Sequence, residues 1–326
     1  MKLKLPSFNK KEKEFPSQFF AIDFGGKVTK IFVLNVNDGS YSALGSRRLN
    51  VGEDNFEEQF KEMVAELRAE FSEAEPLAVV GASGPETTAF TTVVRGSPGH
   101  GIEDLAKHAQ NTAEASAREE LSLSLGDAKT GVTGLESEIL EVKEADKLEV
   151  FIFSSFATSS YQEKRAQLIK KAGLELWGFS SLPFNLITDL AKEAGEGELN
   201  CLIFDVGGSK TEISLVFGGQ LMETKSFWWD FVENGNPTAF LDLWLEAVSF
   251  ALSDFEGVEL FPPKIYLCGG AGAFPGLQEV VTSYPWSRDH PFDVAPEVIP
   301  LPEERMPMSL GQVALRIKEE SEEGEA

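Results

Sequence analysis

Asp23-Phe-Gly-Gly-Lys-Val-Thr-Lys-Ile31 and Asp205-Val-Gly-Gly-Ser-Lys-Thr-Glu-Ile213 align without a gap and share five of nine residues. Each follows a short apolar run and precedes another, so each reads as a β-hairpin turned at a Gly-Gly pair. A pattern that returns whole after so long a separation marks a structural repeat, and the rest of the chain organises around it.

In the first copy, residues 19–23 and 29–36 form the paired strands, and 41–49 is a third strand after Asn37-Asp38-Gly39. Phe56, Phe60, Met63, Val64, Leu67 and Phe71 recur at helical spacing, and 77–81 returns to strand. The second copy turns again at Gly218-Gly219 and runs on to Trp229, with a helix over 239–255 and a strand over 265–268. Gly269-Gly-Ala-Gly-Ala-Phe-Pro-Gly276 then leads into a helix. Between the copies, the spacing predicts a polar helix near 102–124, a strand at 149–156, a helix at 162–172 closed by Gly173, and a strand at 174–179. Pro183 opens a connecting helix that runs to Lys192, and a last helix covers 308–318.

The fold class is therefore α/β with duplicated βββαβα units. Residues 17–80, 164–198 and 303–320 make a first lobe, 199–302 a second, and 81–163 an inserted subdomain, with a flexible basic tail at 1–16 and an acidic one at 321–326. The insert is acidic, with 12 acidic against 5 basic residues over 101–150, as a solvated face would be.

Composition narrows the function. The 326 residues are 42% hydrophobic and 25% charged, a balance that can build a sizeable core. Against 29 Lys and Arg stand 53 Asp and Glu, a formal charge of -24 that repels a nucleic-acid backbone over most of the surface. The Lys-rich start is broken by Pro6 before any apolar core of signal-peptide length, and no later run suits a membrane span. Cys201 and Cys268 sit in apolar runs and offer neither a disulfide framework nor a CxxC pair, which fits a reducing cytoplasm.

A Gly-Gly hairpin turn lets a phosphate approach backbone amides with no Cβ in the way. An Asp two residues earlier can reach a hydrated Mg²⁺. Lys27, Lys30, Thr29, Ser209 and Thr211 add cations and hydroxyls, so two such hairpins face to face could clamp one polyphosphate. Gly269, Gly270 and Gly272 offer a flat surface to a nucleoside.

The three motifs together resemble the phosphate 1, phosphate 2 and adenosine motifs of the actin, sugar-kinase and Hsp70 superfamily. Within it, "AIDFGGKVTKIFVLNV", "LIFDVGGSKTEISLVFGGQL", "IYLCGGAGAFPGLQEVV" and the closing "SLGQVALRIKEE" are most similar to PilM of type IV pilus assembly and its relative FtsA of cell division. The resemblance implies an actin-like two-lobed ATPase fold with a small inserted 1C-type subdomain. It implies ATP and Mg as cofactors, bound by Asp23, Gly25, Gly26, Lys27, Thr29 and Lys30 from one lobe and by Asp205, Gly207, Gly208, Ser209 and Thr211 from the other. Asp23 and Asp205 would hold Mg through water, and Gly269, Gly270 and Gly272 would flank the adenosine.

The family's partner is PilN, an inner-membrane protein whose cytoplasmic N-terminal peptide docks between the first lobe and the insert. The resemblance so implies a cytoplasmic protein recruited to the inner face of the membrane, in pilus or related type II secretion assembly, with self-association open. An FtsA-like division protein and a small-molecule kinase are the alternatives. The acidic run from Glu319 to Ala326 differs from the basic amphipathic helix that ends FtsA-like chains.

Two departures stand out. Leu182 precedes Pro183 where PilM-like chains carry an acidic residue, and leucine cannot orient a water for attack on a γ-phosphate. Gly26 replaces a hydroxyl residue. The expectation is ATP binding with weak or absent turnover. P-loop, Rossmann and serine-triad readings each miss a required residue. His100, His108 and His290 share no ligand spacing and read as surface residues, while Trp228-Trp229 reads as core and edge packing.

Overall fold

A computed structural model describes residues 15–325 except 38, 53–54, 98–100, 127–130, 145–146, 196–197, 232–236, 256 and 273; side chains are described except at 124, 237–238 and 320–325. In chain order, the first lobe opens with β1 (Gln18–Phe24), β2 (Val28–Asn37), β3 (Ser40–Asn50), α1 (Phe56–Glu70) and β4 (Leu77–Ala82). The insert contributes β5 (Thr87–Gly96), α2 (Ile102–Leu125), β6 (Val132–Glu144) and β7 (Leu148–Thr158). The chain returns through α3 (Ser159–Lys171), β8 (Glu175–Ser181) and α4 (Leu182–Ala194). The second lobe follows as β9 (Cys201–Val206), β10 (Lys210–Phe217), β11 (Gln220–Trp228), α5 (Pro237–Ser253), β12 (Lys264–Cys268), α6 (Leu277–Ser283), α7 (Trp286–Asp289) and β13 (Glu297–Pro300), before α8 (Arg305–Met308) and α9 (Gly311–Glu325) close the chain.

The first sheet has the order β3-β2-β1-β4-β8, and the second lobe repeats it as β11-β10-β9-β12-β13. Directions agree as well: β1 is antiparallel to β2 and parallel to β4, and β9 is antiparallel to β10 and parallel to β12. The copies match to the residue. The β2–β3 ladder shifts register between Val33 and Leu34, and the β10–β11 ladder shifts at the repeat-equivalent Leu215 and Val216.

Alternation along the first strands explains their unbroken apolar runs. Phe19 and Ala21 face one core while Phe20, Ile22 and Phe24 face another, because both sides of the sheet are covered. The equivalent Cys201 and Ile203 join the first core, and Leu202, Phe204 and Val206 enter a third against α5. The shared core is filled by α4, whose Phe184, Leu186, Ile187 and Leu190 lie between the two sheets. Ser181 caps α4 by accepting from the Phe184 N–H at 3.3 Å, and Pro183 pre-sets its first turn.

The insert differs from its sequence reading. Strands β5 and β6 flank β7, and β5 joins β11 at Phe90–Glu223, so the three strands extend the second lobe's sheet to eight. The closing helix starts later and runs further than expected. From it, Arg316 donates to Glu136 at 2.8 Å and to Asn185 Oδ1 at 2.9 Å, tying the insert to α4. Glu136 also accepts from Ser180 Oγ and the Ser181 N–H, each at 3.1 Å. The buried charge is thus paired and hydrogen-bonded.

Residues 1–14, and with them most of the expected flexible tail, lie outside the described residues. Phe15 packs edge-on against Phe19 and Trp177, and is 4% exposed. Histidine burial corrects the surface reading: His290 is 8% exposed with Nε2 2.8 Å from Ser249 Oγ, while His108 is exposed on α2 and His100 lies outside the described residues. Burial lowers the His290 pKa.

Candidate functional site

Register places the charged residues. In the first lobe Asp23 lies directly opposite Lys30, and in the second Asp205 lies directly opposite Glu212. Residues opposite one another share a face, and every second residue joins them, so Lys210 stands on the face of Asp205 and Glu212. The two lobes therefore set a lysine on the face of the equivalent aspartate from different positions: the facing strand residue in one, and two residues nearer the turn in the other.

Threonines fall on the other face. Thr29 pairs with Phe24, and Thr211 with Val206. Thr211 Oγ1 accepts from Trp244 Nε1 at 2.9 Å in the second-lobe core, and buried Thr29 Oγ1 has no hydrogen-bond partner among the described residues. The structure thus turns both predicted threonine hydroxyls away from Asp23 and Asp205. Period-two alternation counted from either aspartate would have identified Lys210 and Glu212 instead.

The hairpin tips meet. A Cβ at Gly26 would lie 1.7 Å from Ser209 Oγ, and one at Gly208 would lie 2.9 Å from Lys27 Cγ. Gly26 and Gly208 are repeat equivalents, as are Lys27 and Ser209, so each turn receives the next residue of the other in a reciprocal contact. The missing hydroxyl at Gly26 follows from this, because Ser209 already supplies one there. Lys27 fixes the crossing further, bonding Asp230 at 2.9 Å and the Phe231 carbonyl at 3.1 Å. Gly25 is held close to its own strand, where a Cβ would meet the Val28 carbonyl, and the Gly207 N–H donates to the Lys210 carbonyl at 2.8 Å.

Both inner lysines are engaged. Lys30 is 5% exposed and pairs with Glu303 at 3.0 Å, while Arg48 holds the other Glu303 oxygen at 2.9 Å. Lys210 is 7% exposed and donates to Ser83 Oγ at 2.7 Å. Its chain passes where a Cβ on Gly84 would sit, at 2.3 Å, and Gly84 has φ +95°, so only glycine suits that position. The Gly84 N–H donates to Glu212 Oε2 at 2.6 Å. Ser83, Gly84, Lys210, Glu212 and Glu303 are thus site residues absent from the sequence-derived set.

The third motif divides. Gly269 has φ +95° and a Cβ on it would lie 2.4 Å from Asp205 Oδ1, so it carries the loop after β12 across that carboxylate. Exposed Gly270 faces Glu303. Gly272 instead lines an open depression of about 600 Å³ with Phe274, Gly276, Gln278 and Thr282. Trp229 packs against Phe240 as expected, but Trp228 is 54% exposed and borders a groove with Phe250 and Leu121 between the insert and the second lobe.

Burial pushes the Asp23 and Asp205 carboxyls above the ordinary range, and Lys30 and Lys210 draw both back. Glu212 is raised from 4.5 to about 7 by burial first, with Lys210 opposing and Asp205 adding to the rise. As for cofactors, two ammonium groups and the Ser209 hydroxyl suit a polyphosphate. A hydrated Mg²⁺ on Asp23 and Asp205 fits poorly, because Lys30 and Lys210 already supply the positive charge at those carboxylates. Leu182 is buried beneath Gly81, and the carboxylate beside the start of α4, Glu136, is held by Arg316.

No protein family and no curated protein matches the sequence. Among solved structures, a chain of the PilM–PilN type IV pilus biogenesis complex superposes with TM-score 0.64 and 16% identity over 93% of this chain and 99% of its own. A Bacteroides thetaiotaomicron protein with an actin-like ATPase fold is similar at TM-score 0.45 and 12% identity, covering 91% and 96% of the two chains. The cytoplasmic domain of Vibrio cholerae EpsL, an inner-membrane component of the type II secretion system, is similar at TM-score 0.44 and 10% identity over 91% and 96%. The fold is actin-like, in its PilM-like form.

Two predictions follow from this geometry. A carboxyl raised in the folded state holds its proton there longer than in the unfolded chain, so stability is present below the ordinary pKa and falls as pH rises from about 4.5 to about 7. Glu212→Gln should flatten that slope and raise unfolding free energy at pH 8 by about 2 kcal/mol in denaturant titrations. Gly26→Ser should destabilise by about 2 kcal/mol through overpacking, and Gly26→Ser with Ser209→Gly should restore most of the loss.

Proposed function

We propose that this chain is a cytoplasmic scaffold of type IV pilus or related secretion assembly that binds the short N-terminal peptide of an inner-membrane partner. The observation that carries the reading is the match to a chain of the PilM–PilN complex over nearly the full length of both chains. Charge supports it: a body of -24 attracts a basic peptide and would be repelled by anionic lipid, so recruitment to the membrane falls to the partner. None of the described helices is long and apolar enough to cross a membrane. The peptide docks between the first lobe and the insert, where Arg316 fixes one against the other.

A nucleotide polyphosphate bound by Lys30, Lys210 and Ser209 acts as a clamp on the angle between the lobes, biasing the surface offered to the partner. Turnover is weak or absent, because the start of α4 presents buried Leu182 and an engaged Glu136. The same feature weighs against a small-molecule kinase, which needs a carboxylate free to take the acceptor's proton.

The test is fluorescence polarisation with labelled N-terminal peptides of inner-membrane proteins from the same genome, beside calorimetric titration with ATP. Saturable peptide binding that weakens as salt rises, and ATP binding weakened about tenfold or more in Lys210→Met with phosphate release below about 1 s⁻¹, are expected. Failure of every peptide to bind would overturn the scaffold, and rapid phosphate release would overturn the clamp.

A further inference from the structure

The cleft between the lobes gathers carboxylates from both copies of the repeat. Asp205 and Glu212 are cross-strand partners in the second lobe, and the hairpin that carries Asp23 meets theirs where Gly26 abuts Ser209. Like charges set directly opposite destabilise a sheet, and a cation placed among them offsets that repulsion. In a site built for a divalent ion that cation is the metal, reached through water or by direct ligation. Here the chain has its own. Lys210 leaves β10 on the carboxylate face, is held at its head by Ser83 Oγ, and is given room along its stem by Gly84. Gly84 meanwhile donates its N–H to Glu212, so the same short segment fixes both the ammonium group and one of the carboxylates it faces. Lys30 does the equivalent for Asp23 from across its own ladder.

We propose that Lys210 stands in for a divalent cation, so that this cleft is a metal-free anion site that takes a nucleotide polyphosphate without Mg²⁺. The proposal rests on the nucleotide part of the reading above and alters its chemistry. An ammonium group tethered through four methylenes supplies one charge and three donors, against two charges and an octahedral water shell for Mg²⁺. It suits attraction to phosphate oxygens and the holding of two lobes together. It does not bridge two phosphate oxygens and polarise them for transfer, which agrees with a clamp. Among the described residues no group of three or more His, Cys, Asp or Glu is placed to hold a metal ion. The carboxylates are present, and Lys210 shares their face of the sheet.

Two measurements decide it. In the first, Mn²⁺ is titrated into wild type and Lys210→Thr without nucleotide, and the free-ion paramagnetic resonance signal is followed. Wild type should leave Mn²⁺ free, while Lys210→Thr, with its carboxylates uncovered, should bind about one ion at least tenfold more tightly. Equal uptake by both proteins, or by neither, would overturn the proposal. In the second, ATP affinity of wild type is compared in Mg²⁺ and in EDTA, which needs no variant to fold. Affinities within about threefold are expected, and a loss of more than tenfold in EDTA would overturn it. If ATP binds in neither buffer the nucleotide reading fails, and the Mn²⁺ titration still decides whether Lys210 replaces a metal.

Discussion

Carboxylates from two halves of one chain converge on a single cleft, and without ammonium groups among them the halves would repel. Removing charge from water carries a penalty of several kcal/mol per ion unless partners and hydrogen bonds offset it. Lys30, Lys210, Ser83 and the Gly84 amide provide those partners, and they come from three separate places in the sequence. The position of the hairpins, the loop after β4 and the approach of Glu303 from the segment before α8 all follow from this one requirement. A lobe that drifted away would leave a buried charge unmatched.

Duplication explains how the cleft could be built and why its halves differ. Register shifts at equivalent residues, matched strand orders and the reciprocal seating of Lys27 and Ser209 show two copies meeting about a pseudo-twofold relation. The departure from symmetry is chemical. Where the first copy has Lys30 opposite its aspartate, the second has Glu212, and the positive charge has moved to Lys210. One side of the cleft thus sets a lysine across the ladder from its aspartate, and the other sets two carboxylates across the ladder with a lysine on the same face.

Much of this was legible in the sequence, for physical reasons. A Gly-Gly turn between apolar runs is a backbone signal that survives without tertiary context, and the runs themselves reported sheets covered on both faces. What stayed hidden depends on partners. Strands β5 and β6 are rich in Thr and Glu, with no apolar alternation strong enough to mark them, and they are ordered by pairing with β7 and by the edge that β11 offers. Thr29 and Thr211 were assigned by residue type, yet the pleat turns them into the core and presents Lys210 and Glu212. His290 looked like a surface residue because nothing local reveals the Ser249 hydroxyl waiting for it. At 16% identity to the PilM–PilN complex chain, the backbone arrangement is shared over 93% of this chain.

The most direct test of the central claim is a double-mutant cycle on Asp205 and Lys210, using Asp205→Asn, Lys210→Met and the pair, with unfolding free energies measured in denaturant at pH 8. If the ammonium group is what holds the carboxylates in place, Lys210→Met will destabilise more in the wild-type background than in the Asp205→Asn background, a coupling of roughly 1–3 kcal/mol. Strict additivity would contradict the account, because it would mean that the two side chains share the cleft without depending on each other.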